Sequence, residues 1–494
     1  MSSTTLPNVA KIEYDTLTQF QKRIHGIIDT DPDEDIPSLY TYKLMKQAWS
    51  SSFVEQLNRN ASNPDDGSAE YTPNDTFHYL KKIRVTVETP VMKVKSEFED
   101  NVQITICHNF VNNVVKSAKL YADGDIIQNS STMYLDWKAE CDQRVGQGIR
   151  ELNKKMRGHR HYYGTWVNNL PSFKLGDHLH FYYSSHIKKS LPLFLKESQS
   201  KFIFRFKFET RVEELIRMRI RNNPNDEWTE IKFNFDYVDY VKERIDFPIL
   251  TGKYSCISQP EVEHRKNFPH EYYSEDMILI PSDSEVTYGH PCTINLSSVA
   301  PCTTMAIVAQ NIDAKKLNNH SNYSTNTHNI DKGYNPIESI KEMYGTSIRI
   351  PKLSNIHFDS FEHLEGSKSA PEDPGWNVIH QSDRPFKLHP DVGVSLYKNN
   401  PKIVIQMGDT NPYNKPSKFK NTIRQDGQEN NILFKELDRN GQVNNVEAGP
   451  KFRVYVMLIV VRKIIFEFNK KVVIKRDNED IINKIESHYI DSSL

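Results

Sequence analysis

Residues 201–208 read KFIFRFKF, and this stretch decides the fold class. Phenylalanine occupies every second position from Phe202 to Phe208, with mostly cationic residues between. Successive side chains of a strand point to opposite faces, so a strand gathers the four rings on one face, whereas a helix would spread them around its circumference. We therefore predict a half-buried strand whose aromatic face meets a core. The alternative is a basic-aromatic platform for nucleic acid.

The composition favours a large, β-rich protein. The chain has 494 residues, with 24 Tyr, 24 Phe and 25 Pro against 19 Gly. Aromatic and β-branched runs separated by Pro, Asn and Asp clusters are typical of all-β domains. Lys and Arg total 63 against 64 Asp and Glu, for a net charge of −1. Affinity for phosphates usually needs a positive excess, so we expect no direct sequence-specific nucleic-acid binding.

Cysteine usage and hydropathy predict a soluble protein with free thiols. The five cysteines are scattered and form no CxxC pair, which favours a reducing compartment over a disulfide framework or a zinc site. The first residues, MSSTTLPNVAKIEYD, contain no apolar segment of the secretory type. The longest apolar run, VYVMLIVV at 454–461, is far shorter than the roughly twenty residues of a membrane helix.

The N-terminal region differs from the rest of the chain. Residues 1–75 are predicted to form a partly helical arm, with helical pieces at 16–29 and 38–60 and a polar linker at 60–75. Helical arms outside a sandwich usually need a partner surface to bury their apolar faces. We therefore expect the arm to reach toward a membrane, a minor protein or a neighbouring copy.

Two series of short strands follow. The first, over 76–255, includes IRVTV, VQITI, KFIFRFKF and EWTEIKFNFDYVDYV, and is interrupted by a helical segment at 134–156. The second, over 256–478, includes DMILI, TSIRI, KIVIQMG and FRVYVMLIVVRKIIFEF, and a tail over 479–494 ends the chain. Seven or eight short strands in each half predict two sandwiches in tandem.

Two long polar segments, 318–336 and 408–431, are predicted as loops between strands. Loops of this length without structure of their own usually carry function or contacts.

No segment shows the spacing of a catalytic site. GxxxxGK[ST], GxSxG and HExxH are absent, so we predict no enzyme and no catalytic, cofactor or metal residues. A metal site is an alternative because five histidines cluster between 159 and 186, and two of them would share a strand face. No carboxylate or thiol at a defined spacing completes a ligand set, which favours surface or loop histidines. The five are His159, His161, His178, His180 and His186.

Four segments, in order, resemble major capsid proteins of large nucleocytoplasmic DNA viruses. Residues 106–140 carry His108-Asn109, KSAKLYADGDII and YLDW, which are similar to the family's first jelly roll. The segment at 179–208, with SLPLFL, is similar to the strand pair that follows there. INLSSVAPCTTMAIVAQN at 294–311 resembles a strand pair of the second half, and 452–475 stands where the closing strands lie.

The resemblance implies a double jelly roll, that is, two eight-stranded sandwiches side by side. It further implies homotrimers that form pseudo-hexameric capsomers, contact neighbouring capsomers and minor capsid proteins, and tile an icosahedral virion assembled in the host cytoplasm. A scaffold or minor capsid protein on an internal viral membrane has the same fold and stays an alternative. A carbohydrate-binding β-sandwich is the alternative of another class, and catalysis there would need a carboxylate pair.

Overall fold

The computed structural model describes most of the chain between residues 50 and 475. The described residues are 50–141, 165–179, 190–196, 202–298, 300–330, 333–366, 371–382, 396, 400–408, 423–424, 429–430 and 451–475.

Strands dominate the N-terminal half of these residues. In chain order they are β1 (Ser50–Gln56), β2 (Asn58–Asn63), β3 (Ser68–Thr72), β4 (Tyr79–Glu88), β5 (Met92–Val94), β6 (Val102–Ile106), β7 (Val115–Ala122), β8 (Asp125–Ser131), β9 (Asn169–Leu170), β10 (Lys174–Leu179), β11 (Leu191–Pro192), β12 (Ile203–Phe208), β13 (Ile216–Ile220), β14 (Thr229–Ile231), β15 (Val238–Tyr240) and β16 (Ile249–Ile257).

The second half is built in the same way. Its strands are β17 (His270–Pro281), β18 (Val286–Thr287), β19 (Pro291–Asn295), β20 (Cys302–Asn311), β21 (Ile337–Tyr344), β22 (Ser347–Ser354), β23 (Asn377–His380), β24 (Pro401–Met407), β25 (Ile423–Arg424), β26 (Glu429–Asn430), β27 (Lys451–Phe466) and β28 (Val473–Lys475).

Helices are short and lie in the connections. The α-helices are α1 (Phe110–Val114), α2 (Thr132–Cys141), α3 (Gln259–Lys266), α4 (Ile312–Lys316) and α5 (Glu362–Gly366). Single 3₁₀ turns are Ser96–Phe98, Leu193–Leu195, Val212–Glu214 and Phe235–Tyr237, and His357–Phe361 is a π-helical turn that runs into α5.

Both halves have the strand order of a jelly roll. In the first, one sheet runs β1-β16-β4-β10 and the other β3-β12-β7-β8, with β2 added outside β3 and β11 paired to β4. In the second, the sheets run β17-β27-β20-β23 and β19-β24-β21-β22, with β18 and β28 paired to β27. If the eight main strands of each half are numbered along the chain, both halves read 1-8-3-6 and 2-7-4-5. This pairing of two four-stranded sheets confirms the predicted double jelly roll.

The three connections β4–β7, β8–β10 and β12–β16 carry additional structure at one end of the first jelly roll. They contribute two small sheets, ordered β14-β13-β6 and β15-β5-β9, together with α1 and α2. Among these additions, α1, α2 and β13 lie at the boundary with the second jelly roll.

The opening stretch behaves as its alternation predicts. The four phenylalanines from Phe202 to Phe208 are buried in the core between the two sheets of the first jelly roll. Arg205 and Lys207 are exposed on the other face, where Arg205 bonds Glu70 at 3.0 Å. Burial of the rings excludes a platform for bases, and the stretch is architectural.

The predicted helical arm is wrong over its described part. Residues 50–72 form β1, β2 and β3, and β1 pairs with β16 along its whole length. The first jelly roll therefore includes residues that the prediction assigned to the arm and its linker. Residues 1–49 lie outside the described residues.

Two further predictions need correction, and some strands were missed. EWTEIKFNFDYVDYV at 227–241 is not one strand but β14 and β15 with a 3₁₀ turn between them, since Asn234 accepts from the amide of Asp236 and starts that turn. Strands β21 and β23 were not predicted. The helical segment begins at Thr132 and its described part ends at Cys141, whereas 142–156 lies outside the described residues.

Candidate functional site: the junction between the two jelly rolls

The predicted histidine cluster falls almost entirely outside the described residues. Only His178 has a described backbone, on β10. Across the ranges given above, no His, Cys, Asp or Glu group is arranged to hold a metal ion. No helix in this part of the chain is long and apolar enough to span a bilayer. All five cysteines are free thiols.

The most elaborate set of buried polar side chains lies where the two jelly rolls meet, with α2 at its centre. This helix follows β8 directly and is buried from Met133 to Cys141. Its residues Met133, Tyr134 and Trp137 pack on the outer face of the sheet β17-β27-β20-β23. The apolar residues of that face are Met277, Ala306, Val308, Val378, Met457 and Ile459. A helix buried on all sides must pair its charged residues internally, and α2 contains three.

Asp136 of α2 links the two jelly rolls through its carboxylate. Its Oδ1 accepts hydrogen bonds from the side-chain amides of Asn109 at 3.1 Å and Asn112 at 2.8 Å, both in the first jelly roll. Its Oδ2 accepts from the Tyr323 hydroxyl at 3.0 Å, in the second. Burial raises the pKa of Asp136, and hydrogen bonds from Ser321, Asn112 and Tyr323 oppose the shift. Burying this carboxylate without hydrogen-bond donors would cost several kcal/mol or more. Because its donors come from both jelly rolls, they favour one arrangement of the two halves.

One buried ion pair and one buried histidine–carboxylate contact cross the same junction. Lys138 of α2 donates to Glu275 of β17 at 2.6 Å. His108 Nε2 lies 2.8 Å from Asp373 Oδ2, and both side chains are buried. The adjacent edge strands are also joined, because the amide of Asn129 in β8 donates to the carboxylate of a β17 residue, Asp276, at 3.0 Å.

The second jelly roll contributes to the junction part of the polar segment 318–336, which was predicted as a loop. Residues 318–327, NNHSNYSTNT, are all buried. The Asn318 amide donates to the carbonyls of Glu213 and Ile216, at 2.6 Å each. His320 Nε2 lies 2.8 Å from the carbonyl oxygen of Glu214. Burial, followed by repulsion from Lys116, lowers the pKa of His320 to about 4, so it is neutral at pH 7.

Next to this loop, arginines of β13 contact tryptophan rings and form a row of cation–aromatic contacts. Arg217 bonds Glu230 at 2.7 Å and donates to the His328 carbonyl at 2.7 Å, which ties the row to the second jelly roll. Arg219 lies between two indole rings, 4.6 Å from the centroid of Trp166 and 4.7 Å from that of Trp228. Burial alone would raise the pKa of Glu230, but Arg217 and His328 hold it below its usual value.

Asp136 accepts hydrogen bonds from side-chain amides and a phenol, and Glu275 accepts from a lysine. His108 contacts a carboxylate, and His320 contacts a carbonyl. His108-Asn109 and YLDW stand out in the sequence only through the resemblance to capsid proteins, and no pattern in the sequence indicates a role for Asp136. The one local signal was the unusual density of Asn, Ser and Thr in 318–327, which favours loops with side chain to backbone hydrogen bonds.

Comparison with known proteins identifies the fold. No protein-family model matches the sequence, and no curated protein is significantly similar to it. PBCV-1 VP54, solved as a crystal structure fitted into a reconstruction of the virophage Sputnik, matches with a TM-score of 0.64 at 11% identity, over 90% of this chain and 100% of that one. A quasi-atomic model of the PBCV-1 virus capsid matches with the same values. The Faustovirus major capsid protein matches with a TM-score of 0.60 at 5% identity, over 93% and 97%.

At these identities the shared property is the fold. The chain has the double jelly-roll fold found in these viral capsid proteins, along nearly its whole length.

Proposed function

We propose that this double jelly-roll chain is a structural subunit of a virus capsid, acting as a major capsid protein. Three copies form a pseudo-hexameric capsomer, and capsomers contact one another and minor capsid proteins to tile an icosahedral shell. We place the protein in the virion and assign it no enzymatic activity.

One observation carries the proposal: two sandwiches of the same strand order are fixed to each other by a buried junction. Because α2 and residues 318–327 are buried between them, the two halves form one unit of two sandwiches with similar shapes. Three such units would place six similar sandwiches around a ring.

The comparisons support the same assignment. The structures matched over most of both chains come from a virus capsid and a major capsid protein. Near-neutral net charge also suits a protein whose partners are further copies of itself.

Light scattering on the purified protein tests the proposal. We expect a stable particle of three 57.5 kDa chains, with a pseudo-hexagonal outline in negative stain. A compact monomer at all concentrations would contradict the proposal, and glycan binding and hydrolysis would then be the assays to run.

A further inference from the structure

Two arginines at the end of β13 lie beside tryptophan rings on one face of the small sheet β14-β13-β6. The guanidinium of Arg219 is 4.6 Å from the ring centroid of Trp166, and that of Arg221 is 4.5 Å from the centroid of Trp228. We call these four residues the arginine–tryptophan face. All four are half-buried and so partly open to solvent, whereas Arg217 on the same strand is buried and bonded to the second jelly roll.

Among the described residues, no carboxylate lies within ion-pair distance of Arg219 or Arg221. Glu230, which lies opposite Arg219 in the ladder, is paired instead with Arg217 at 2.7 Å. Burial lowers the pKa of Arg219 to about 10, and repulsion from the two neighbouring arginines adds to the shift against the attraction of Glu230. The group is charged at pH 7, and an added anion would be attracted to it.

Neutral acceptors hold both guanidinium groups in place. Arg219 Nε donates to the side-chain oxygen of Gln103 at 3.0 Å. Arg221 donates to the carbonyl oxygens of Asp100 and Pro224 at 2.8 and 2.6 Å. Hydrogen bonds of this kind fix a cation without neutralising it, and a guanidinium has five N–H donors in all. The two arginines are therefore preorganised to receive an anionic group.

The surroundings of these cations favour a ligand whose anionic groups are well separated. The Trp228 ring has Arg219 at 4.7 Å and Arg221 at 4.5 Å, so the face offers charged N–H groups rather than a free ring on which a base would stack. Asp226 and Glu227, just before Trp228, are exposed. A nucleic acid, with a phosphate at every nucleotide, would meet these carboxylates unfavourably. An acidic polysaccharide can place uncharged, hydroxyl-rich sugar units beside them.

We propose that the arginine–tryptophan face binds the sulfate or carboxylate groups of an acidic polysaccharide. The fork of N–H donors on each guanidinium suits paired oxygens of such a group, and the indoles stabilise the cations through their ring faces. This binding activity goes beyond the proposed capsid role and does not depend on how many copies assemble.

Biolayer interferometry of the full-length protein on immobilised heparin tests the proposal. Arg219→Gln and Arg221→Gln should each weaken binding at least about tenfold, because each removes charge-assisted hydrogen bonds to the ligand. Arg205→Gln is the matched control and should leave binding unchanged. Arg205 also lies over an aromatic ring, 4.7 Å from the centroid of Tyr121, but it is paired with Glu70 at 3.0 Å. Circular dichroism and a thermal melt confirm folding, and Arg221→Gln keeps the test valid if Arg219→Gln fails to fold.

Competition with hyaluronate, which has carboxylates and no sulfates, separates the two anionic groups. Competition assigns carboxylate binding and its failure assigns sulfate binding, and both outcomes support the proposal. No saturable heparin binding by the wild-type protein, or an equal loss in Arg205→Gln and Arg221→Gln, would overturn it. Tighter binding of an oligothymidylate with the same dependence on Arg221 would assign the face to nucleic acid and overturn it as well. The capsid role stands or falls separately, by light scattering.

Discussion

Removing the indole of Trp137 should loosen the junction at its apolar centre. Trp137 is 1% exposed and packs within the cluster formed by α2 and the outer face of the second jelly roll. A buried tryptophan removes about 200 Å² from water, worth about 5 kcal/mol at roughly 25 cal/mol per Å². Some of this is retained by the alanine that remains, so Trp137→Ala should lower the free energy of unfolding by about 3–5 kcal/mol.

Urea unfolding measures the loss of stability in Trp137→Ala, and hydrogen exchange followed by mass spectrometry shows where in the chain it occurs. In Trp137→Ala we expect faster exchange in α2 and in 318–327, because both are buried against the same cluster. Phe204→Ala is the control: Phe204 is 0% exposed in the core of the first jelly roll, so a similar loss of stability should speed exchange in β7 and β12 instead. Unchanged exchange in 318–327, or a loss below about 1 kcal/mol, would refute the reasoning that the junction depends on α2.

Three more predictions follow from individual sites. The pKa of His320 is lowered from 6.5 to about 4, so the unfolded chain binds a proton more readily than the folded state does. The stability that a neutral His320 contributes should therefore be lost as pH falls from 6.5 toward 4. In thermal melts, His320→Gln should reduce the dependence of melting temperature on pH across this range. Gly67 and Gly124 both have positive φ, +72° and +85°, but an added Cβ would lie 2.0 Å from a backbone oxygen at Gly67 and in open space at Gly124. Gly67→Ala should therefore reduce the melting temperature clearly more than Gly124→Ala. Equal losses would contradict the close backbone contact at Gly67. A truncation that removes residues 1–75 deletes β1, β2 and β3 and should unfold the first jelly roll. Circular dichroism compares it with a truncation that removes only residues 1–49. Two equally folded proteins would show that these three strands are dispensable.

Strong periodicity made much of the core predictable. The alternation around Phe204 identified a strand and its buried face, and the segments VQITI and KIVIQMG lie in β6 and β24. In β12 and β24 buried residues alternate with less buried ones, so the side-chain period of two is visible in the sequence.

Edge strands gave no such signal. β2, NRNASN, is exposed along its whole length, so no alternation of polar and apolar residues marks it. β1 is defined by its pairing with β16, about two hundred residues away in the chain, which local patterns cannot reveal. β21, IESIKEMY, was missed for a different reason: it buries Glu342, which has Arg349 and Gln381 as partners.

The junction was the least predictable part of the molecule. A polar run such as 318–327 is ordinarily exposed, and it is buried here because carbonyls of the first jelly roll, such as those of Glu213 and Ile216, accept its hydrogen bonds. Likewise, the acceptor role of Asp136 depends on Tyr323, which follows it by 187 residues. Such networks form between distant segments and leave no spacing to recognise.

Single-particle electron microscopy of the purified protein tests the proposed capsomer most directly. We expect a ring of three chains that contains six jelly rolls, with the two jelly rolls of each chain held in one orientation across α2. A single chain, or two jelly rolls that vary in their relative orientation from particle to particle, would contradict it.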